Sequence, residues 1–182
     1  IMAVTLTSTG ITFSDGSTQN SAATGGVYGA QTFNTSGTWS HAGSGSPSNV
    51  VVSLVGGGGG ATNRTSNYSN NAFAKGGIGG FAVNAPVATS GNKTVTVGAQ
   101  GNNSYSAANA GGASNFGGSV QANGGGGGSY HYESENWVNT AGSSGNVTGG
   151  SLAAQGSNNA PKGRGGNTYG SDGLPGAVVV VW

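Results

Sequence analysis

Val50-Val51-Val52-Ser53-Leu54-Val55-Gly56-Gly57-Gly58-Gly59-Gly60 carries two opposite instructions in one stretch. The first half, VVVSLV, is a β-branched apolar run with the length and composition of a strand buried on both faces. The second half has no side chain to bury. Each glycine costs about 0.5–1 kcal/mol relative to alanine inside a regular element. The same alternation of short strand and glycine island runs outward along the chain. Glycine fills 40 of the 182 positions. Its islands are Gly56–Gly60, Gly76–Gly77 with Gly79–Gly80, Gly111–Gly112, Gly124–Gly128, Gly149–Gly150, and Gly163 with Gly165–Gly166. Glycine lets backbones approach closely or adopt positive φ. A disordered linker is one reading of such a chain. In a folded chain, the islands are either tight turns or extended helices of three residues per turn, polyproline II without the prolines.

The ordinary stretches read as strands. Ala30–Phe33 and Thr38–Ser40 are short ones. In Gly80–Val87, the alternation of Phe81, Val83, Ala85 and Val87 predicts an inward face. Pro86 favours an edge position there. Thr94–Val97 alternates again, Ser114–Ala122 reads as one weaker strand, and Ala177–Trp182 closes the chain in the style of Val50–Val55. No window carries a helical period. The expected fold is all-β: a compact β-sandwich with glycine-rich connections, either tight turns or short polyglycine II segments. Residues 1–27 form a separate entry segment, and 28–182 the main domain. In the entry segment Val4, Leu6, Ile11 and Phe13 sit at period two, and Asp15-Gly16 is a turn pair, so short strands around a turn are expected. Its few apolar residues cannot make a core alone. Packing around a symmetry axis would solve this, so a homotrimer is expected.

Charged residues are 5% of the chain, against about a quarter in an average domain. The cations are Arg64, Lys75, Lys93, Lys162 and Arg164, and the anions Asp15, Glu133, Glu135 and Asp172. No basic cluster exists to neutralise phosphates, which argues against a nucleic-acid partner. With no cysteine, disulfides, thiolate metal sites and cysteine nucleophiles are excluded. No apolar run approaches the ~18 residues of a membrane span, so no membrane insertion is expected. Ile1–Gly10 lacks the features of a secretory signal. An extracellular role would then begin with release by lysis.

Little in the sequence carries catalytic chemistry. His131 and Glu133 form an H-x-E, but a zinc deaminase also needs P-C-x-x-C. Glu133 and Glu135, two apart on a strand, would stand roughly 7 Å from each other. That matches a glycosidase spacing of about 5–9.5 Å, but neighbours on one loop would not flank a sugar. A solvated loop is the plainer reading. No glycine run continues into Lys-Ser/Thr, so there is no phosphate-binding loop. No catalytic residue is nominated, and no enzyme, cofactor or metal is expected. The aromatic residues in the loops are the better signal. Ala61–Lys75 holds Arg64, Tyr68 and Phe73, and Asn102–Ala110 holds Tyr105. Ser129–Thr148 holds Tyr130, His131, Tyr132, Glu133, Glu135 and Trp137, and Ser151–Lys162 is a fourth loop. Rings on such loops offer contact area at low entropic cost. Covering the core is the competing role, expected for Trp39, Phe81 and Trp182.

The order of these motifs is more specific than any one of them. Thr38-Trp39 is followed by Val50–Gly60, Gly76–Gly80, Thr94–Gly98 (TVTVG), Gly111–Gly117 (GGASNFG), Gly124–Gly128 and Gly173–Trp182 (GLPGAVVVVW). Over Tyr28–Trp182 this resembles the glycine-rich domain at the C-terminal tips of bacteriophage tail fibres. Leu6–Ala22 (LTSTGITFSDGSTQNSA) is similar to the stretch that opens many marine phage tail-fibre proteins, cyanophages among them. The resemblance implies a β-rich receptor-binding tip in a trimeric fibre of the virion. It would be joined to other fibre or baseplate proteins through residues 1–27, and would bind a host surface glycan or outer-membrane protein. It is also similar in style to adhesins whose polyglycine helices carry variable receptor-binding loops, though the islands here are shorter and separated by strands. It implies no catalytic residue. The competing classes are a structural spacer or virion decoration, and a depolymerase relying on Glu133 and Glu135.

Overall fold

The computed structural model describes residues 4–7, 10–13, 18–19, 29–62, 73–133, 136–149, 153–155, 162–166 and 170–182. In the entry segment, β1 (Val4–Thr7), β2 (Gly10–Phe13) and β3 (Thr18–Gln19) form an antiparallel sheet in that order. Val4 pairs with Phe13 and Leu6 with Ile11, so the period-two apolar residues share rungs.

The main domain is all-β. Its strands are β4 (Ala30–Phe33), β5 (Gly37–Trp39), β6 (Asn49–Val55), β7 (Gly80–Ala88), β8 (Lys93–Thr96), β9 (Ser114–Phe116), β10 (Val120–Ala122), β11 (Ser129–Glu133), β12 (Asn136–Thr140), β13 (Val147–Thr148), β14 (Ala153–Gln155) and β15 (Ala177–Val181). Two antiparallel five-stranded sheets, β14-β7-β6-β15-β4 and β13-β10-β9-β8-β5, pack face to face, while β11 and β12 form a separate hairpin. Val50, Val52, Leu54, Val178 and Val180 meet Val95, Phe116, Val120 and Ala122 in the core. Trp39 is fully buried, edge-on to Phe116, Trp182 and His41 at centroid distances of 5.9, 6.0 and 5.9 Å.

Three strand expectations change. β6 is not buried on both faces: Val51 is 38% exposed, because each sheet of a two-layer sandwich has one packed face. In β7 the buried side chains are those of Ala82, Ala85 and Val87, while Phe81 and Val83 are only half-buried. The register shifts between Val52 and Leu54, with Asn84 at φ 51° and its N–H donating to Ser53 Oγ at 3.0 Å. This β-bulge inserts a residue and reverses the inward phase. Pro86 is tolerated because β14 pairs with β7 only over Gly80–Ala82. The third change is in 114–122, which is a hairpin, not one strand. Gly117 and Gly118 turn it at φ 57° and 76°, and Asn115 Oδ1 accepts the Gly118 N–H at 2.8 Å.

Beyond the sandwich the chain continues through the glycine islands as a second packed region. Along 56–62, successive N–H groups donate to Gly80, Gly112, Leu174, Gly77, Asn109, Ser171 and Ala74 carbonyls, at 2.9–3.0 Å. The partner therefore changes at every residue and returns to the same segment every third one. That is the periodicity of three residues per turn. Segments 74–80, 109–112 and 171–174 accept these bonds. Segments 98–101, 124–128 and 163–166 donate back, through Gly101 to Gly58, Gly125 to Gly57, Gly128 to Gly60 and Gly166 to Gly59. The surrounding segments also bond to one another in a closed ring: Gly77 to Gly126, Gly111 to Gly125, Gly112 to Ala99, Gly173 to Gly101, Leu174 to Arg164 and Gly76 to Gly166. Segment 142–146 lies outside it, bonded to Lys75, Ile78, Asn123 and Gly126.

This packing explains the glycine content. A Cβ on Gly58 would overlap the Arg164 carbonyl, and one on Gly59 the Gly126 carbonyl. The contacts are with backbone, which no rotamer change can relieve. The described islands at 56–60, 76–80, 111–112, 124–128 and 163–166 are thus packed backbone and not simple turns. Where lattice meets sandwich, the buried Ser114 Oγ donates to Val55 O at 2.6 Å and accepts from Gly98 N at 2.9 Å. It satisfies two backbone groups that have left one region and not yet entered the other.

Candidate recognition face

The lattice determines where the loops emerge. β6 runs outward into 56–62, and 74–80 returns into β7. Likewise 97–102 leaves β8 and 109–112 returns to β9. Segment 123–128 leaves β10, and 142–146 returns to β13. Segment 163–166 runs outward, and 171–176 returns to β15. The described ends of four connections, at 62 and 73, 102 and 109, 128 and 142, and 166 and 170, therefore lie at one end, opposite the sandwich.

Backbone bonds tie this end together. Buried Thr62 closes the first connection: its N–H donates to Ala74 O at 3.0 Å, and its Oγ1 accepts the Ala74 N–H at 2.8 Å. Gly170 N–H donates to Thr62 O at 3.1 Å, joining the fourth connection to the first. Thr62 bridges Ser104, and Ala107 bridges Ser129. Tyr130 N–H donates to Ser106 O at 2.7 Å, seating the β11–β12 hairpin on the second connection. The Asp172 carboxylate accepts from Asn103 N at 2.6 Å, Asn103 Nδ2 at 2.7 Å and Gln100 Nε2 at 3.4 Å. This acid shapes the loop beside it.

Of the nominated residues, Tyr105 stands at this face and is 57% exposed. Phe73 is half-buried just before Ala74. Tyr130 is buried, at 6% exposure, so its ring is not presented to solvent. His131, Tyr132 and Glu133 lie on β11 and Trp137 on β12, with Tyr132 the register partner of Trp137 and Glu133 of Asn136. The side chains of these four lie outside the described residues, as do Arg64, Tyr68 and Glu135 altogether. The expected loop Ser129–Thr148 is more ordered than a loop. It comprises a five-rung hairpin, a lattice segment and β13.

Within the expected loop Ser151–Lys162, Ala153–Gln155 form β14 and pair with β7 on the sandwich side of the lattice, while 151–152 and 156–161 lie outside the described residues. Gly166 and Gly170 bound the fourth connection here, flanked by Gly165-Gly166 and Gly173 in the sequence. Thr62, Asn103 and Asp172 were not legible as scaffold, since nothing local marks their partners. No protein-family model matches the chain, and no curated protein matches it.

Proposed function

We propose that this chain is the receptor-binding tip of a bacteriophage tail fibre: a non-enzymatic adhesin, trimeric in the assembled fibre and carried on the virion. The observation that carries the reading is the gathering of the bases of four connections at one end of a backbone-bonded lattice. Backbone hydrogen bonds among packed chains hold the loop bases with little freedom, so loop residues present contacts with less ordering cost on binding. The period-three bonding supports reading the islands as polyglycine II helices, in keeping with the adhesins that the sequence resembles in style. A nearly uncharged chain with Tyr105 exposed on loop 103–108, and Tyr132 paired in register with Trp137 on the hairpin, suits a glycan or an outer-membrane protein surface. Both offer apolar patches and hydrogen-bonding groups without requiring ion pairing.

The test is binding of the labelled full chain to a panel of bacterial cells, beside a Tyr132→Ala, Trp137→Ala double variant. Binding to a subset of strains is expected, with at least a tenfold loss in the variant and an unchanged melting temperature. Equal binding by the variant removes the hairpin from the site. Failure of the parent to bind any strain, with normal assembly on particles, favours the spacer or decoration role. Light scattering on the full chain tests the trimer.

A further inference from the structure

The outer face of the sheet β14-β7-β6-β15-β4 holds an aliphatic row that is exposed among the described residues. Ala30, Val181, Val51 and Pro86 are successive register partners across four strands. Val51 and Val181 are 38% and 39% exposed, and with Tyr105 they are the exposed large hydrophobics among the described residues. The adjoining rows hold Thr32, Val179 and Ser53 on one side, and Asn49 and Ala88 on the other. None of these positions is charged. A solvated sheet face normally carries polar side chains, and a contiguous uncharged aliphatic patch marks a contact surface.

The same chain contains a matching surface. In the β1–β2 hairpin, the rungs Val4–Phe13 and Leu6–Ile11 alternate with Thr5–Thr12. Residues 4–13 also contain no charge. Joining these two surfaces would desolvate no ion. The connection also favours it. Gly29 N–H donates to Trp182 O at 2.8 Å, and Trp182 N–H to Gly29 O at 2.9 Å, beside the Ala30–Val181 rung. The entry segment thus joins the domain at the rim of the patch. Residues 20–28 can span up to about 30 Å when extended, against about 15 Å across four strands. A tether of that length holds the hairpin at an effective concentration on the order of millimolar.

We infer that the β1–β2 hairpin docks, within its own chain, on the outer face formed by Val51, Val181, Pro86 and Ala30. The entry segment would then be a fixed joint to the sandwich. It does not depend on receptor binding, and it replaces packing around a symmetry axis as the burial of the entry segment's apolar residues.

The chain has no cysteine, so engineered pairs report cleanly. The experiment compares the full chain carrying Leu6→Cys with Val51→Cys against one carrying Thr5→Cys with Val51→Cys, under mild oxidation. The first pair is expected to close an intramolecular disulfide at least tenfold faster than the second. Equal rates overturn the proposal. So does a disulfide-linked dimer as the main product, which would assign the face to a second copy. A second measurement avoids cysteines. Val51→Thr with Val181→Thr is expected to speed thermolysin cleavage within residues 1–28 at least fivefold, with the melting temperature of the domain unchanged. An unchanged cleavage rate overturns the proposal.

Discussion

In the sandwich, Trp39, Phe116 and Leu54 fill the space between two sheets. In the lattice around 56–62 there is no such space, because backbones touch. One region is stabilised by apolar area removed from water, and the other chiefly by backbone hydrogen bonds between its own segments. The two should therefore fail in opposite directions. A core loses stability when atoms are removed. The lattice loses it when a single atom is added.

The largest effect is expected from Gly58→Ala. The new methyl would overlap Arg164 O, and the segment carrying that carbonyl is itself bonded to Gly59, Gly76, Gly79 and Leu174. A displacement there must propagate around the ring. The expected cost is about 4 kcal/mol or more, in the extreme tail of single substitutions, read as a lower urea midpoint or as failure to fold. A midpoint within error of the parent would break the comparison outright, since the lattice would then have room.

Trp39→Ala sharpens it from the other side. Deleting the buried indole is expected to cost about 3–5 kcal/mol, in the same urea titration. One methyl added in the lattice would then weigh as much as a whole aromatic side chain removed from the core. A loss below about 1 kcal/mol would mean that the Trp182 and Phe116 rings collapse into the vacated space.

Ser114→Ala tests the seam between the regions. It leaves Val55 O and Gly98 N buried without their hydroxyl partner, at a cost of about 1–3 kcal/mol. Amide exchange at Gly98 should accelerate more than exchange at Gly58, whose partners are all backbone. Equal acceleration at both would mean that sandwich and lattice open as one unit.

The sandwich was legible in the sequence because burial leaves a side-chain pattern. Val50–Val55, Thr94–Val97 and Ala177–Trp182 announce their strands through alternation or β-branching. What the pattern missed was phase: the bulge at Asn84 moves Phe81 outward and Ala82 inward, and nothing near Asn84 marks it. The lattice was legible only as a glycine excess. Its information lies in which backbone meets which, such as Gly59 against Gly77 and Gly126, and glycine carries no signature of its partner. Hence the end of the lattice opposite the sandwich was recognisable loop by loop, in Tyr105 and the 129–148 stretch. That Gly170 reaches this end while β14 lies beside β7 follows from lattice direction.

The smallest effect, and the control for the first, is Gly91→Ala. Gly91 sits in the turn between β7 and β8, has no heavy atom within 4 Å of an added Cβ, and does not have positive φ. Alanine there removes backbone freedom from the unfolded chain at no cost to the folded one, which stabilises by about 0.4–1 kcal/mol. Chemically this is the same change as Gly58→Ala, so both act similarly on the unfolded state. The difference between the two urea midpoints then isolates what the lattice forbids. Should Gly91→Ala destabilise as strongly as Gly58→Ala, glycine would be required for chain flexibility throughout, and close backbone packing would no longer explain the islands.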